Sequence, residues 1–218
     1  MSGRPRDVEA VAGPALLGEG PRWDAQRGVL WWVDIVAGLV RRFEPATGRD
    51  LSVAVGDPVS LVLPRSRGGV VVGVGGEVRA IDDAALDLAW STESDQGGST
   101  AARTDRLVEL DPSPLVRTND GACDGHGRLW VGTMARDERS PLGGLFRVDA
   151  ELNVTRLLTG TTISNGLGWS PSGDRFYFID SPTRTVDVFD HDPATGALEH
   201  RRPLVTFASE ADDPTAGI

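Results

Sequence analysis

Four strand centres, Trp32, Val72, Trp130 and Tyr177, follow one another at spacings of 40, 58 and 47 residues. That rhythm restricts the fold more than any other feature of the chain. No long segment carries a helical period. Short alternating runs recur instead, separated by Gly, Pro and Asp turn signals. The first unit has runs at 30–34, 39–43 and 51–55, and the second at 70–74, 77–81 and 86–90. The third has runs at 128–132, 145–149 and 154–158, and the fourth at 176–180, 186–190 and 198–205. Each unit opens on a strand that ends in an Asp/Gly turn, at 23–28, 63–69, 123–127 and 169–173. The turn Pro45-Ala46-Thr47-Gly48 is echoed by Pro193-Ala194-Thr195-Gly196.

Units of ~40–50 residues with four short strands each are the signature of a β-propeller. An antiparallel sandwich would give strands of similar length, but not internal echoes of sequence. The expected fold is all-β, one propeller domain, with units at 14–57, 58–95, 115–160 and 161–208. The wide spacing of 58 is assigned to an insert at 91–106, whose polar run 94–100 reads as a surface loop.

Composition narrows the function. A net charge of -10 argues against a nucleic-acid partner, which requires a basic face. All 22 basic residues are Arg, so Schiff-base chemistry and a P-loop lysine are excluded. Cys123 is the single cysteine and cannot form an internal disulfide, which points to a reducing compartment. No apolar run approaches 18 residues, and the start, Met1 to Asp7, lacks the apolar core of a signal peptide. A cytoplasmic protein without a membrane partner is expected.

Three short stretches carry polar groups at equivalent places in the repeat. They are Leu17-Gly18-Glu19-Gly20-Pro21-Arg22-Trp23, Arg117-Thr118-Asn119-Asp120-Gly121 and Ile163-Ser164-Asn165-Gly166-Leu167. Side chains so placed can converge on one point. Glu19 and Asn165 are hard oxygen donors suited to Ca²⁺, Mg²⁺ or Mn²⁺. Each also has a plainer reading: Glu19 as a solvated turn residue, and Asn165 as half of an Asn-Gly turn. Arg117 can donate paired hydrogen bonds to a sugar hydroxyl or a carboxylate, or form a surface ion pair. Asn119-Asp120-Gly121 can be an Asx turn, with Asp120 orienting the loop or supporting a metal. Asp34, Asp149, Asp180 and Asp190 recur at strand ends and read as turn caps. His126, His191 and His200 lack metal spacing and are expected at the surface. Cys123 is expected to be a buried strand residue. There is no Gly-x-Ser-x-Gly elbow and no dinucleotide fingerprint.

These stretches, with Leu30-Trp31-Trp32-Val33-Asp34-Ile35, 127–134 and 177–181, resemble the SMP-30/gluconolactonase/regucalcin family of six-bladed propellers. The resemblance runs from about Leu17 to the end of the chain. It implies hydrolysis of a sugar lactone, such as gluconolactone, to the aldonic acid around one divalent cation. The cation could be Ca, Zn, Mn, Mg or Fe. By motif Glu19 and Asn165 match two of the family's metal ligands. Arg117, Asn119 and Asp137 match its substrate contacts, although the family often has Glu at the last. The third ligand, an Asp also assigned as the base, would follow Ile218, so no catalytic base is assigned within 1–218.

Six blades of ~45 residues need ~270 residues or more, and four are expected here. The chain is therefore expected to be a fragment or a prematurely ended chain that binds metal weakly and has little lactonase activity. Three alternatives share the scaffold: a non-catalytic calcium-binding or regulatory propeller, a protein-interaction propeller, and a hydrolase of phosphotriesters or aryl esters.

Overall fold

A computed structural model of the protein describes residues 10–56, 58–91 and 100–208. The segments 94–99 and 216–218, noted above for a loop and for the end of the motif, lie outside the described residues, as do residues 1–9.

The described chain forms four antiparallel sheets of four strands. The first holds β1 Gly18–Asp24, β2 Val29–Asp34, β3 Leu39–Glu44 and β4 Arg49–Ala54. The second holds β5 Val59–Pro64, β6 Val70–Val74, β7 Glu77–Ile81 and β8 Asp105–Glu109. The third holds β9 Val116–Cys123, β10 Leu129–Ala135, β11 Gly143–Val148 and β12 Val154–Thr161. The fourth holds β13 Ser164–Trp169, β14 Arg175–Asp180, β15 Thr185–His191 and β16 Leu198–Thr206. Strand order follows chain order within every sheet, so each is a simple meander. The first strands adjoin around a common axis: β1 packs on β5, β5 on β9 and β9 on β13. This is propeller-like architecture.

The cores lie in the wedges between successive sheets. Trp31, Val33, Val62, Val72 and Ile81 fill the first wedge. Leu61, Leu63, Val108, Val131 and Phe146 fill the second. Trp130, Leu145, Phe176, Phe178 and Phe189 fill the third. Sequence neighbours enter different wedges, as Trp130 and Val131 do, because successive strand residues point to opposite faces. The strands buried on both faces are therefore almost wholly apolar, as β6 is and as β5 is apart from Ser60.

One expected strand is a helix. Residues 86–90 fall in α1, Asp83–Ser91. Leu86, Leu88 and Trp90 alternate, which imitates a strand, yet Leu88 is 66% exposed. The buried pair is Leu86 and Ala89, a helical spacing. Asp82 caps the helix, its carboxylate accepting from the Ala85 amide at 2.7 Å. Trp90 of this helix stacks against Trp31 of the first sheet at 6.1 Å. The outer strand of the second sheet is supplied by β8 instead, beyond the bound of 95 expected for that unit.

Two smaller expectations fail. Cys123, expected to be buried, is exposed at the end of β9, where the strand leaves its neighbour for a turn. His191, expected at the surface, is buried, with Nδ1 2.5 Å from the Gly173 carbonyl and its ring edge-on to Trp130. No helix among the described residues is long and apolar enough to cross a membrane.

Candidate functional site

All four axial strands break register at the same place. The pairing slips between Glu19 and Arg22 in β1, Val59 and Leu61 in β5, Thr118 and Gly121 in β9, and Asn165 and Leu167 in β13. A bulge adds a residue to one strand and re-aims the side chains around it. Its effect is visible in β5, where Leu61, Val62 and Leu63 alternate between wedges. Val59 would share a wedge with Leu61 by simple alternation, but the bulge at Ser60 moves it to the other. In β1 and β13 the bulge holds a glycine in left-handed backbone, Gly20 at φ 59° and Gly166 at φ 52°.

The segments leading into these strands are pinned alike. Asp34 accepts hydrogen bonds from the Leu16 and Leu17 amides at 2.8 and 3.1 Å. Asp180 accepts from the Thr162 and Ile163 amides at 3.0 and 2.8 Å. Both acids are buried, and they cap the approach to the site. Asp149 caps a turn through the Glu151 and Asn153 amides. Asp190 instead pairs with Arg175, Arg202 and His200.

The bulges open onto one cavity of about 360 Å³. Glu19, Arg117, Asn119 and Asn165, four of the residues expected at the site, all line it. Glu19 is exposed to solvent there. Asn165 lies in a strand bulge rather than in the Asn-Gly turn that was its plainer reading. Its Oδ1 accepts from the Gly166 amide at 3.0 Å within the β13 bulge, and its Nδ2 donates to Ser181 Oγ at 3.3 Å.

Arg117 is 9% exposed. Its Nη1 donates to the Thr118 carbonyl at 3.0 Å and to Asn119 Oδ1 at 3.1 Å. Among the described residues no carboxylate forms an ion pair with it. Burial pushes its pKa down, with the nearby charge of Glu138 opposing. A buried cation without an ion-pair partner is costly, and an anionic or hydroxyl-rich ligand in the cavity would relieve that cost.

Asp137 is not brought to the cavity. Its carboxylate is spent on its own turn, accepting from the Arg139 amide at 3.0 Å, the Ser140 amide at 2.8 Å and the Ser140 hydroxyl at 2.5 Å. Those bonds hold its pKa down at about 2. The same turn puts the next residue, Glu138, in left-handed backbone at φ 59°, and Glu138 lines the cavity in its place.

Arg22, Ser60 and Ser181 also line the cavity and were not singled out from the sequence. Arg22 lies within the first motif, so its position was visible although its partner was not. Ser60 sits at the bulge of the second sheet, in Pro58-Val59-Ser60-Leu61, which shares no residue pattern with the other three bulges.

A hard divalent cation fits this donor set. Glu19 offers a carboxylate and Asn165 an amide oxygen with one lone pair uncommitted, and neither is a soft ligand. Among the described residues no three His, Cys, Asp or Glu side chains converge to hold a metal, so the fit depends on mixed carboxylate and amide donors.

Known proteins resemble this chain in sequence and in fold. The sequence model of the SMP-30/Gluconolactonase/LRE-like region matches residues 17–215. Regucalcin of Xenopus laevis is 34% identical over 203 residues, covering 91% of this chain and 63% of its own length. The pentonolactonase XacC of Haloferax volcanii is 35% identical over 190 residues, covering 87% and 58%. The solved structure of a luciferin-regenerating enzyme superposes with a TM-score of 0.79 at 31% identity, covering 89% of this chain and 62% of that one. The chain thus spans about three fifths of the length of these relatives. By sequence and by fold, the chain belongs to the SMP-30/Gluconolactonase/LRE-like family.

Proposed function

We propose that the intact protein is a six-bladed propeller that hydrolyses a sugar lactone to its aldonic acid with the help of one divalent cation. The observation that carries this reading is the convergence of Glu19, Arg117, Asn119 and Asn165, from three different sheets, on one cavity. Four aligned bulges produce it. The name of the Haloferax relative supports a lactone as the substrate class.

In this reading Glu19 and Asn165 hold the cation through oxygen. When bound, the cation supplies Lewis acidity at the lactone carbonyl. Arg117 presents fixed donors at the edge of β9 and, being buried, loses little solvation when a ligand arrives. Asn119 holds Arg117 in that pose and retains acceptor capacity for a sugar hydroxyl. Glu138 supplies a second acceptor beside Arg117 and takes the role first expected of Asp137. No base is assigned among the described residues. Water's hydroxyl bonds to the carbonyl carbon, the bond from that carbon to the ring oxygen breaks, and the ring oxygen takes the water's proton to become a hydroxyl of the opened sugar acid.

The test uses the full-length protein and a panel of five- and six-carbon aldonolactones, with acid release followed by a pH indicator. Turnover should disappear on chelation and return when Ca²⁺, Mg²⁺, Mn²⁺, Zn²⁺ or Fe²⁺ is added back. Glu19→Gln should weaken calorimetric cation binding at least about ten-fold, as expected for loss of a charged ligand. Full turnover by a metal-stripped enzyme would refute the cation's part. Cation binding without turnover of any lactone would favour a non-catalytic calcium-binding propeller.

A further inference from the structure

Arg22 makes a contact that skips a sheet. It stands on β1, and its Nη2 reaches β9 of the third sheet, donating to Asp120 Oδ1 at 3.2 Å and to the Gly121 carbonyl at 2.8 Å. Two other side-chain contacts at the bulges join adjacent sheets. Ser60 Oγ donates to Thr118 Oγ1 at 2.7 Å, joining the second sheet to the third. Asn119 Nδ2 donates to the Ser164 carbonyl at 3.2 Å, joining the third to the fourth.

The β9 bulge has special need of a brace. Asn119 and Asp120 sit inside the register break, between the Thr118–Thr133 and Gly121–Val131 pairs, and lack regular ladder partners there. Asp120 Oδ1 also accepts from the Gly121 amide at 2.8 Å, which folds the carboxylate back over its own strand. A guanidinium gripping both the carboxylate and the next carbonyl fixes both ends of this short loop. The bulge carries Asn119, which in turn orients Arg117. Asp120 also lines the cavity with Glu19 and Glu138, so Arg22 offsets negative charge that would otherwise accumulate there.

We propose that the Arg22–Asp120 ion pair is a brace across the axis that sets the binding edge of β9, making Arg22 a positioning residue for the ligand of Arg117 and Asn119. The kinetic part of this inference rests on the lactonase reading, whereas the structural part does not.

The full-length protein decides it. Arg22→Met, Asp120→Ala and the double variant are compared with wild type by hydrogen–deuterium exchange of residues 116–123, without lactone or added cation. Each single substitution should speed exchange of that segment roughly ten-fold, while distant strands keep their rates. The double variant should exchange no faster than either single, because the two residues act as one unit. On the best lactone, KM should rise about ten-fold with kcat within about three-fold of wild type. Arg22→Lys should fall between wild type and Arg22→Met, and it serves if Arg22→Met does not fold. Unchanged exchange in 116–123, exchange that rises equally everywhere, or single effects that add in the double variant would each overturn the brace. If the wild type turns over no lactone, the lactonase reading fails, and the exchange data still decide the brace.

Discussion

Asn119 uses both ends of its amide between two sheets: Nδ2 donates to the Ser164 carbonyl at 3.2 Å and Oδ1 accepts from Arg117 at 3.1 Å. This residue of the cavity wall is also the stitch between the third and fourth sheets. Replacement by Leu takes the donor from the Ser164 carbonyl and leaves Arg117 with the Thr118 carbonyl alone of its two acceptors, in a half-buried place. We expect Asn119→Leu to cost about 1–3 kcal/mol in denaturant unfolding. The same variant should raise KM more than it lowers kcat, because Arg117 loses the group that orients it. A variant with wild-type stability would show that water replaces the amide at both contacts.

Asp34 gives the fold a pH dependence whose sign is fixed. Burial alone would raise its pKa; the Leu16, Leu17 and Ala37 amides and the charge of Arg41 outweigh burial and leave it lowered. The folded pKa therefore lies below the unfolded one, so the carboxylate stabilises the fold fully above the unfolded value and loses that contribution as pH falls through the folded value. Asp34→Asn should be about 1–3 kcal/mol less stable than wild type near neutral pH. The gap should narrow between about pH 5 and pH 2, where the wild-type carboxylate becomes protonated. Urea unfolding across that range checks it, and a gap that stays constant would reject it.

Gly166 and Gly28 separate backbone strain from crowding. Both are left-handed, at φ 52° and 67°. A Cβ on Gly28 meets nothing within 4 Å, whereas on Gly166 it would lie 2.9 Å from Ile179 Cδ1. Gly28→Ala should cost about 1–2 kcal/mol, the ordinary expense of a left-handed L-residue. Gly166→Ala should cost about 1–3 kcal/mol more, because Ile179 must give way. It should also displace the adjacent Asn165 and weaken cation binding in calorimetry, which Gly28→Ala should not. Equal costs at the two sites would mean that Ile179 moves freely.

The sheets were legible in the sequence because alternation and turn chemistry agreed along nearly every unit. The runs 70–74 and 77–81 coincide with β6 and β7. The second unit misled where two periods overlapped: Leu86, Leu88 and Trp90 satisfy a strand pattern, while Leu86 and Ala89 face the core in a helix capped by Asp82. Glu19, Arg117, Asn119 and Asn165 were legible because they occupy equivalent positions in recurring motifs. The bulges that gather them were not, since a register slip follows from the partner strand and leaves a mark only where it uses a Gly, as at Gly20 and Gly166. Arg22 and Asp120 are 98 positions apart, and no local pattern announces that they meet.

That Glu138 rather than Asp137 lines the cavity has the same origin, and the role proposed for Glu138 is open to direct test. Counting from the Gly-Thr-Met motif selects Asp137, but a short acid followed by Ser140 closes a turn more readily than it reaches across a cavity. With its oxygens taken by the Arg139 and Ser140 amides and the Ser140 hydroxyl, Asp137 stays ionised down to about pH 2 and holds Glu138 in the left-handed conformation that points the longer acid inward. Glu138→Gln should therefore raise KM for the lactone by about ten-fold, as loss of a charged hydrogen-bonding partner does. Asp137→Ala should raise KM as well, but only through Glu138, so the double variant should match Glu138→Gln alone. Because Asp137 does not titrate near neutrality, its substitution should leave the shape of the pH–KM profile between about pH 5 and 8 unchanged, whatever it does to the magnitude. If Glu138→Gln leaves KM intact while Asp137→Ala raises it, the contact returns to Asp137 and the turn must reopen when the lactone binds.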